Sequence, residues 1–152
     1  VGVHAGPAFA LDRFGMGREL ATGWTVGVSA LVSFRNVPLD IVADVGYARN
    51  DYADAGPSGS VSTWIGGASA AWRPVPVTSR VQPYVLGGLG VYYVEEPDRN
   101  AVTPALVAGA GVRAALGRVQ PFAEARYLHV FYTDDDLRLL PVVLGVRYLL
   151  TP

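Results

Sequence analysis

The sequence predicts an all-β fold: an eight-stranded antiparallel up-and-down β-barrel, closed on itself and crossing a membrane with its strands. Three observations predict it. Apolar residues recur at every second position through almost the whole chain, which is the period of a strand. Tight turns alternate with longer polar connections, as they do where hairpins share one rim of a barrel. The face opposite the bulky apolar one is mainly Gly, Ala, Ser and Thr with a few charges, which suits a narrow crowded lumen better than bulk water.

The strands follow in order. Residues 1–10 set Val1, Val3, Ala5, Pro7 and Phe9 against Gly2, His4, Gly6 and Ala8. The clearest alternation is 23–35, with Trp24, Val26, Val28, Ala30, Val32 and Phe34 on one face and small or polar residues, Leu31 apart, on the other. Residues 39–48 oppose Leu39, Ile41, Ala43, Val45 and Tyr47 to Asp40, Val42, Asp44 and Gly46. Residues 61–73 oppose Trp64, Ala68, Ala70 and Trp72 to Thr63, Ile65, Gly67, Ser69 and Ala71. In 81–95, Val85, Leu89, Val91 and Tyr93 face away from Gln82, Tyr84, Gly88 and Gly90.

The last three strands repeat the pattern. Residues 105–116 place Leu106, Ala108, Ala110, Val112, Ala114 and Leu116 opposite Gly109, Gly111 and Arg113. Residues 119–132 place Ala123, Ala125, Tyr127, His129 and Phe131 opposite Phe122, Glu124, Arg126 and Leu128. Residues 139–150 place Val142, Leu144, Val146, Tyr148 and Leu150 opposite Val143, Gly145 and Arg147. Short connections at 36–38, 74–80 and 117–118 alternate with longer ones at 11–21, 49–60, 96–104 and 133–138. An even number of strands puts both termini on the short-turn rim, and a single domain spanning 1–152 is expected.

Composition agrees with a membrane-facing surface. Of 152 residues, 51% are hydrophobic and only 16% charged, against about 25% in a typical soluble domain. The net charge of −1 offers no basic field for nucleic acid, and all 12 basic residues are Arg. With no Cys, disulfides, thiolate metal sites and thiol catalysis are excluded. The longest uncharged stretches, 20–34 and 55–72, are too short or too rich in Gly, Ser and Thr for a helical span of about 20 apolar residues. No motif calls for a cofactor. A chain whose signal peptide has already been removed is expected.

The two faces decide between a soluble barrel and a membrane barrel. A soluble lipocalin-like barrel keeps an apolar interior and an exterior rich in Lys and Glu, the opposite of this pattern. Aromatic residues of the bulky face gather towards the strand ends: Trp24, Tyr47, Trp64 and Tyr93 near the long-loop rim, Phe34, Trp72 and Tyr148 near the short-turn rim. Two such girdles mark a lipid-facing barrel. Closure leaves no sheet edge, which hydrocarbon does not tolerate.

The stretches QPYVLGGLGVYYV (82–94), VQPFAEARYLHVFY (119–132) and LPVVLGVRYLL (140–150) carry a resemblance. Over essentially its whole length the chain resembles the eight-stranded outer-membrane barrels of the OmpA/OmpX type. Its last strand is similar to the C-terminal strand that the family's assembly machinery recognises, although Leu150 stands where the family usually ends on Phe or Trp. The resemblance implies an outer-membrane location in a Gram-negative-type bacterium, termini in the periplasm and the longer loops outside.

The chemistry-bearing residues point mostly inward. Arg35, Asp40, Arg113, Glu124 and Arg147 belong to the short-turn half of the lumen, with Asp44 and Arg126 nearer mid-height. An ion-pair network is expected there, with Glu124 between arginines and His4 nearby, because buried charges must be paired and an eight-stranded lumen is filled by side chains. The other reading of these charges is a gated ion path. At the long-loop rim, His129 and Asp134–Asp136 raise a second possibility. Some eight-stranded outer-membrane enzymes deacylate lipid A with a Ser/His/acid set on the outer wall, but their His-x-Ser pattern meets Phe131 here. The same aspartates suit Ca²⁺ or Mg²⁺ only loosely, matching no EF-hand spacing. Arg13, Arg18, Arg49 and Arg99 are placed to meet lipopolysaccharide phosphates.

The expected function is therefore an integral barrel with a side-chain-filled lumen, serving envelope integrity or surface interaction through its loops. Its expected partners are outer-membrane lipid, lipopolysaccharide and a protein contacted by the loops. A narrow channel for small or hydrophobic solutes and a lipid A-modifying enzyme are the alternatives.

Overall fold

A computed structural model describes the chain apart from residues 12, 15–17, 20, 35, 52–59, 97–98, 132–136 and 151–152, and apart from the side chains of 13–14, 18–19, 94, 96 and 99–101. Eight strands form one closed antiparallel barrel: β1 (Gly2–Ala10), β2 (Gly23–Ser33), β3 (Leu39–Asp51), β4 (Ser60–Trp72), β5 (Val81–Glu96), β6 (Arg99–Ala114), β7 (Val119–Val130) and β8 (Leu137–Tyr148). Each pairs with its chain neighbours, and β1 closes on β8. A separate two-residue ribbon pairs Arg13–Phe14 with Arg18–Glu19 in the first connection.

The alternation explains the faces. Val26, Val28, Val45, Val85, Leu89, Val91, Leu106, Leu144 and Val146 are exposed on the outer wall, whereas Val42, Tyr84, Leu86, Tyr92, Val107, Leu128, Val130 and Val143 are buried inside. A one-residue slip in any strand would exchange these sets. Pro7 cannot donate to the ladder, and the pairing of β1 with β8 lapses at Gly6 and Pro7, then resumes in the same register at Ala8↔Pro141. Gly117 closes the β6–β7 turn at φ 66°, a conformation that favours glycine.

The strands are staggered. The row of partners that starts at Gly2 passes through Ser29, Asp44, Gly67, Gly90, Ala105, Val130 and Leu137. Leu137 lies two residues above Leu139, the partner of Ala10. One circuit therefore climbs ten residues, the eight from Gly2 to Ala10 plus these two. Such stagger is what tilts the strands of a closed barrel.

One connection differs from the sequence expectation. Residues 96–104 read as a longer polar connection. Instead β5 and β6 continue as a ribbon to the pair Glu96↔Arg99. Pro104 sits inside β6 opposite Val91, and its carbonyl accepts a bond from the Phe131 N–H at 3.1 Å. Proline lacks the donor but keeps the acceptor, and the Phe131 carbonyl takes the Thr103 hydroxyl instead.

Candidate functional site

The lumen is divided into two zones by strand direction. Odd-numbered strands rise from the short-turn rim and even-numbered ones descend to it, so Asp40, Gln82, Arg113, Gln120 and Arg147 meet at that rim. At the long-loop end the same parity brings together Val61, Tyr92, Ala105, Leu128, Val130, Leu137 and Leu139, which belong to one buried apolar cluster. The buried acid–base pairs thus lie in the short-turn half of the lumen, and the long-loop half is mainly apolar.

Two nodes organise the ionic half. At the short-turn mouth, Asp40 Oδ2 accepts from Arg73 Nε at 2.9 Å and from Arg113 Nη2 at 2.6 Å. Arg113 Nε donates to Gln82 Oε1 at 2.8 Å. Arg73 reaches the carbonyls of Phe34 and Val37 at 3.4 Å, and Gln82 Nε2 donates to those of Val77 and Ser79 at 2.6 and 2.9 Å. The node therefore ties two short turns across the mouth.

Higher up, Glu124 takes the Tyr84 hydroxyl on Oε2 at 2.5 Å and Arg126 Nε on Oε1. Arg126 also donates through Nη1 to Asp44 Oδ2. Arg147 Nη2 lies 4.0 Å from Glu124 Oε2, and its guanidinium sits 3.9 Å above the Phe122 ring, a cation–π contact. Gly145 makes room for that ring: a Cβ there would meet Phe122 Cζ at 2.4 Å. Between the two zones a cavity of about 30 Å³ is lined by His4, Asp44, Tyr92, Arg126 and Leu128 among others, enough for a water molecule rather than a solute.

Of the seven residues the sequence singled out for the lumen, the structure brings Glu124, Arg126, Asp44 and Arg147 together and places Asp40 and Arg113 in the separate mouth node. Arg35 lies outside the described residues. His4 lies inside with its ring 6.3 Å from that of Phe122. Arg73 was missed, although it continues the inward odd-numbered parity of its strand by one residue. Tyr84 and Gln82 were placed on the inner face but not in the network, because alternation gives a facing and not a partner.

Trp24, Phe34, Trp64, Trp72 and Tyr148 lie exposed on the outer wall. Trp24 and Tyr47 ring centroids are 5.4 Å apart, Tyr47 and Trp64 are 5.0 Å apart, and Tyr93 is the register partner of Trp64. Phe34, Trp72 and Tyr148 are exposed at the opposite end. Trp64 and Trp72 stand eight residues apart on β4, which is about 26 Å along a strand. At a tilt of about 40° that spans roughly 20 Å, close to the apolar band of an outer-membrane barrel.

The Tyr127 hydroxyl is 3.5 Å from His129 Nδ1, and the His129 ring packs 4.6 Å from Phe131. Asp134–Asp136 lie outside the described residues, among which there is no group of three His, Cys, Asp or Glu placed to share a metal ion. Arg49 pairs with Asp51 at 3.7 Å on the surface. The side chains of Arg13, Arg18 and Arg99 are outside the description. Among the described residues no helix is long and apolar enough to cross a membrane.

An eight-stranded closed barrel with an apolar exterior and a polar, side-chain-filled interior defines the class of small outer-membrane barrels. Among solved structures, the chain is similar to Neisserial surface protein A (24% identity, TM-score 0.69, 97% of this chain and 95% of that one) and to the outer membrane enzyme PagL (15%, TM-score 0.69, 95% and 98%). It is also similar to the outer membrane protein OprG of Pseudomonas aeruginosa (16%, TM-score 0.57, 97% and 93%). Neither a protein-family model nor a curated protein matches the sequence. The chain has the fold of the eight-stranded outer-membrane barrels.

Proposed function

We propose that this barrel is a closed, non-enzymatic anchor in the outer membrane, with its termini in the periplasm. It carries its long connections and the β5–β6 ribbon into the medium, where they contact lipopolysaccharide, another surface or a partner protein. The filled lumen is the observation that carries this reading. Arg73, Arg113 and Arg126 are tied to Asp40, Asp44 and Glu124, with Arg147 beside Glu124, and an apolar plug lies above them. A rigid interior of this kind supports loops and leaves no route for a solute. The Arg-rich composition suits phosphate or sulfate groups, and a related fold, the Ail protein of Yersinia pestis, has been solved with the heparin analogue sucrose octasulfate.

The test combines conductance with loop exchange. The barrel reconstituted in planar bilayers is expected to give no steady conductance. Replacing the connection at 52–59 by a short Gly/Ser turn is expected to keep the folded barrel and to weaken its adhesion to lipopolysaccharide-coated surfaces. Steady conductance would replace the anchor by a narrow channel. Loss of acyl chains from lipid A, read by mass spectrometry after incubation with the barrel, would make it an enzyme.

A further inference from the structure

We propose that the outer wall holds a specific site for one glycerophospholipid, with its phosphate at Arg118 and Tyr148 and an acyl chain in an oblique groove across β8, β1, β2, β3 and β4. The site rests on reading the chain as a membrane barrel.

A groove of about 780 Å³ lies on this wall, and the outward side chains lining it are apolar. Its floor is the backbone of the pairing row Gly2–Ser29–Asp44–Gly67. Val3, Val28 and Val45 stand along one side of that row, with Val1, Ala30 and Ala43 along the other. The stagger of the barrel makes this row climb. Gly2 is at the short-turn end of β1, whereas Gly67 lies midway along β4. The groove thus runs from the Tyr148 rim towards the middle of the membrane. It crosses four inter-strand steps, about 19 Å at the usual strand spacing. One leaflet of a bilayer has about 15 Å of hydrocarbon, so an oblique path of this length matches a single acyl chain.

The lower end of the groove is polar. Tyr148 forms its lip, and Arg118 Nη1 donates to the Tyr148 hydroxyl at 3.5 Å. Arg118 is held there by the backbone, because Leu149 N–H donates to its carbonyl at 2.8 Å. An exposed guanidinium beside a phenol at headgroup level matches a phosphodiester. A second copy of the chain fits less well, since a two-fold contact would set one hollow against the same hollow.

The experiment refolds the chain in phosphatidylglycerol vesicles doped with a phosphatidylglycerol whose acyl chain carries a photoactivated diazirine, and maps the adducts. Adducts are expected to concentrate severalfold at Val28, Ala30, Ala43 and Val45 over the opposite wall at Ala108, Ala110 and Val112. The double variant A30F/A43F is expected to lose that excess, while A108F keeps it. Arg118→Gln, a surface change in a turn, is expected to lower retention of phosphatidylglycerol severalfold in native mass spectrometry. Uniform labelling around the wall, an unchanged excess in A30F/A43F, or copy-to-copy cross-links at Ala30 and Ala43 would each overturn the site. Failure of the membrane reading shows separately, as a chain that gains no heat-modifiable gel band in vesicles.

Discussion

Tyr84 on β5 donates its hydroxyl proton to Glu124 on β7 at 2.5 Å, across 40 residues of chain and over the intervening strand β6. The Arg113 guanidinium lies 5.8 Å from the centre of the same tyrosine ring. Tyr84 therefore touches both ionic nodes of the lumen. Its hydrogen bond uses one lone pair of a carboxylate whose other oxygen is taken by Arg126.

Removing that carboxylate takes away the counter-charge beside Arg147 and leaves buried Arg126 with Asp44 alone. Glu124→Ala is expected to destabilise the barrel by about 3–5 kcal/mol, read as a shift of the urea midpoint for folding into lipid vesicles. An unchanged midpoint would mean that Arg126 and Arg147 are hydrated and the lumen is open.

Tyr84→Phe keeps the ring and deletes the bond to Glu124. It is expected to cost about 1.5–3 kcal/mol, the range for hydrogen bonds to charged groups. In a Glu124→Ala background the same change is expected to cost much less, because the shared partner is gone. A double-mutant cycle measures the difference.

Leu89 is 67% exposed near the middle of β5. Leu89→Arg is expected to cost about 2–4 kcal/mol in a bilayer, as for a cation on the lipid face at mid-membrane. Wild-type stability would place that wall in water.

The chain's three tryptophans, Trp24, Trp64 and Trp72, all face outward and are half exposed. Phospholipids brominated near the carbonyl end are expected to quench their fluorescence more strongly than phospholipids brominated at the chain terminus. The reverse order would remove the girdles from the interfaces.

Gly145→Val pushes a branched side chain into the Phe122 ring that carries Arg147. The expected cost is about 1–3 kcal/mol of overpacking, seen as a lower urea midpoint. Gly66→Val, where nothing lies within 4 Å of a Cβ, is the control with little steric cost.

How much of this was legible in the chain follows from what alternation encodes. A period of two assigns each side chain to a face, so the inward set Asp40, Asp44, Arg113, Glu124, Arg126, Arg147 and the outward aromatics could be read residue by residue. Strand direction added height, which put Asp40 in the short-turn half and the aromatics at two levels. Arg73 was available by the same rule, as the last inward position of 61–73, and was not singled out; the observed strand ends one residue before it. The β5–β6 ribbon was hidden by the polar character of 96–104, since pairing between two polar strands leaves no apolar alternation to read.

By itself the sequence determined the number of barrel strands, the facing of all of them but β5, and the apolar exterior, since these depend on the order of residues along one strand. Only the tertiary structure decided which charges meet. The stagger of ten residues per circuit sets Tyr84 beside Glu124 and Arg126 against Asp44, sends Arg113 to Asp40, and turns one pairing row into a groove climbing the wall. Register is a relation between strands, and it is settled by closing the barrel as a whole.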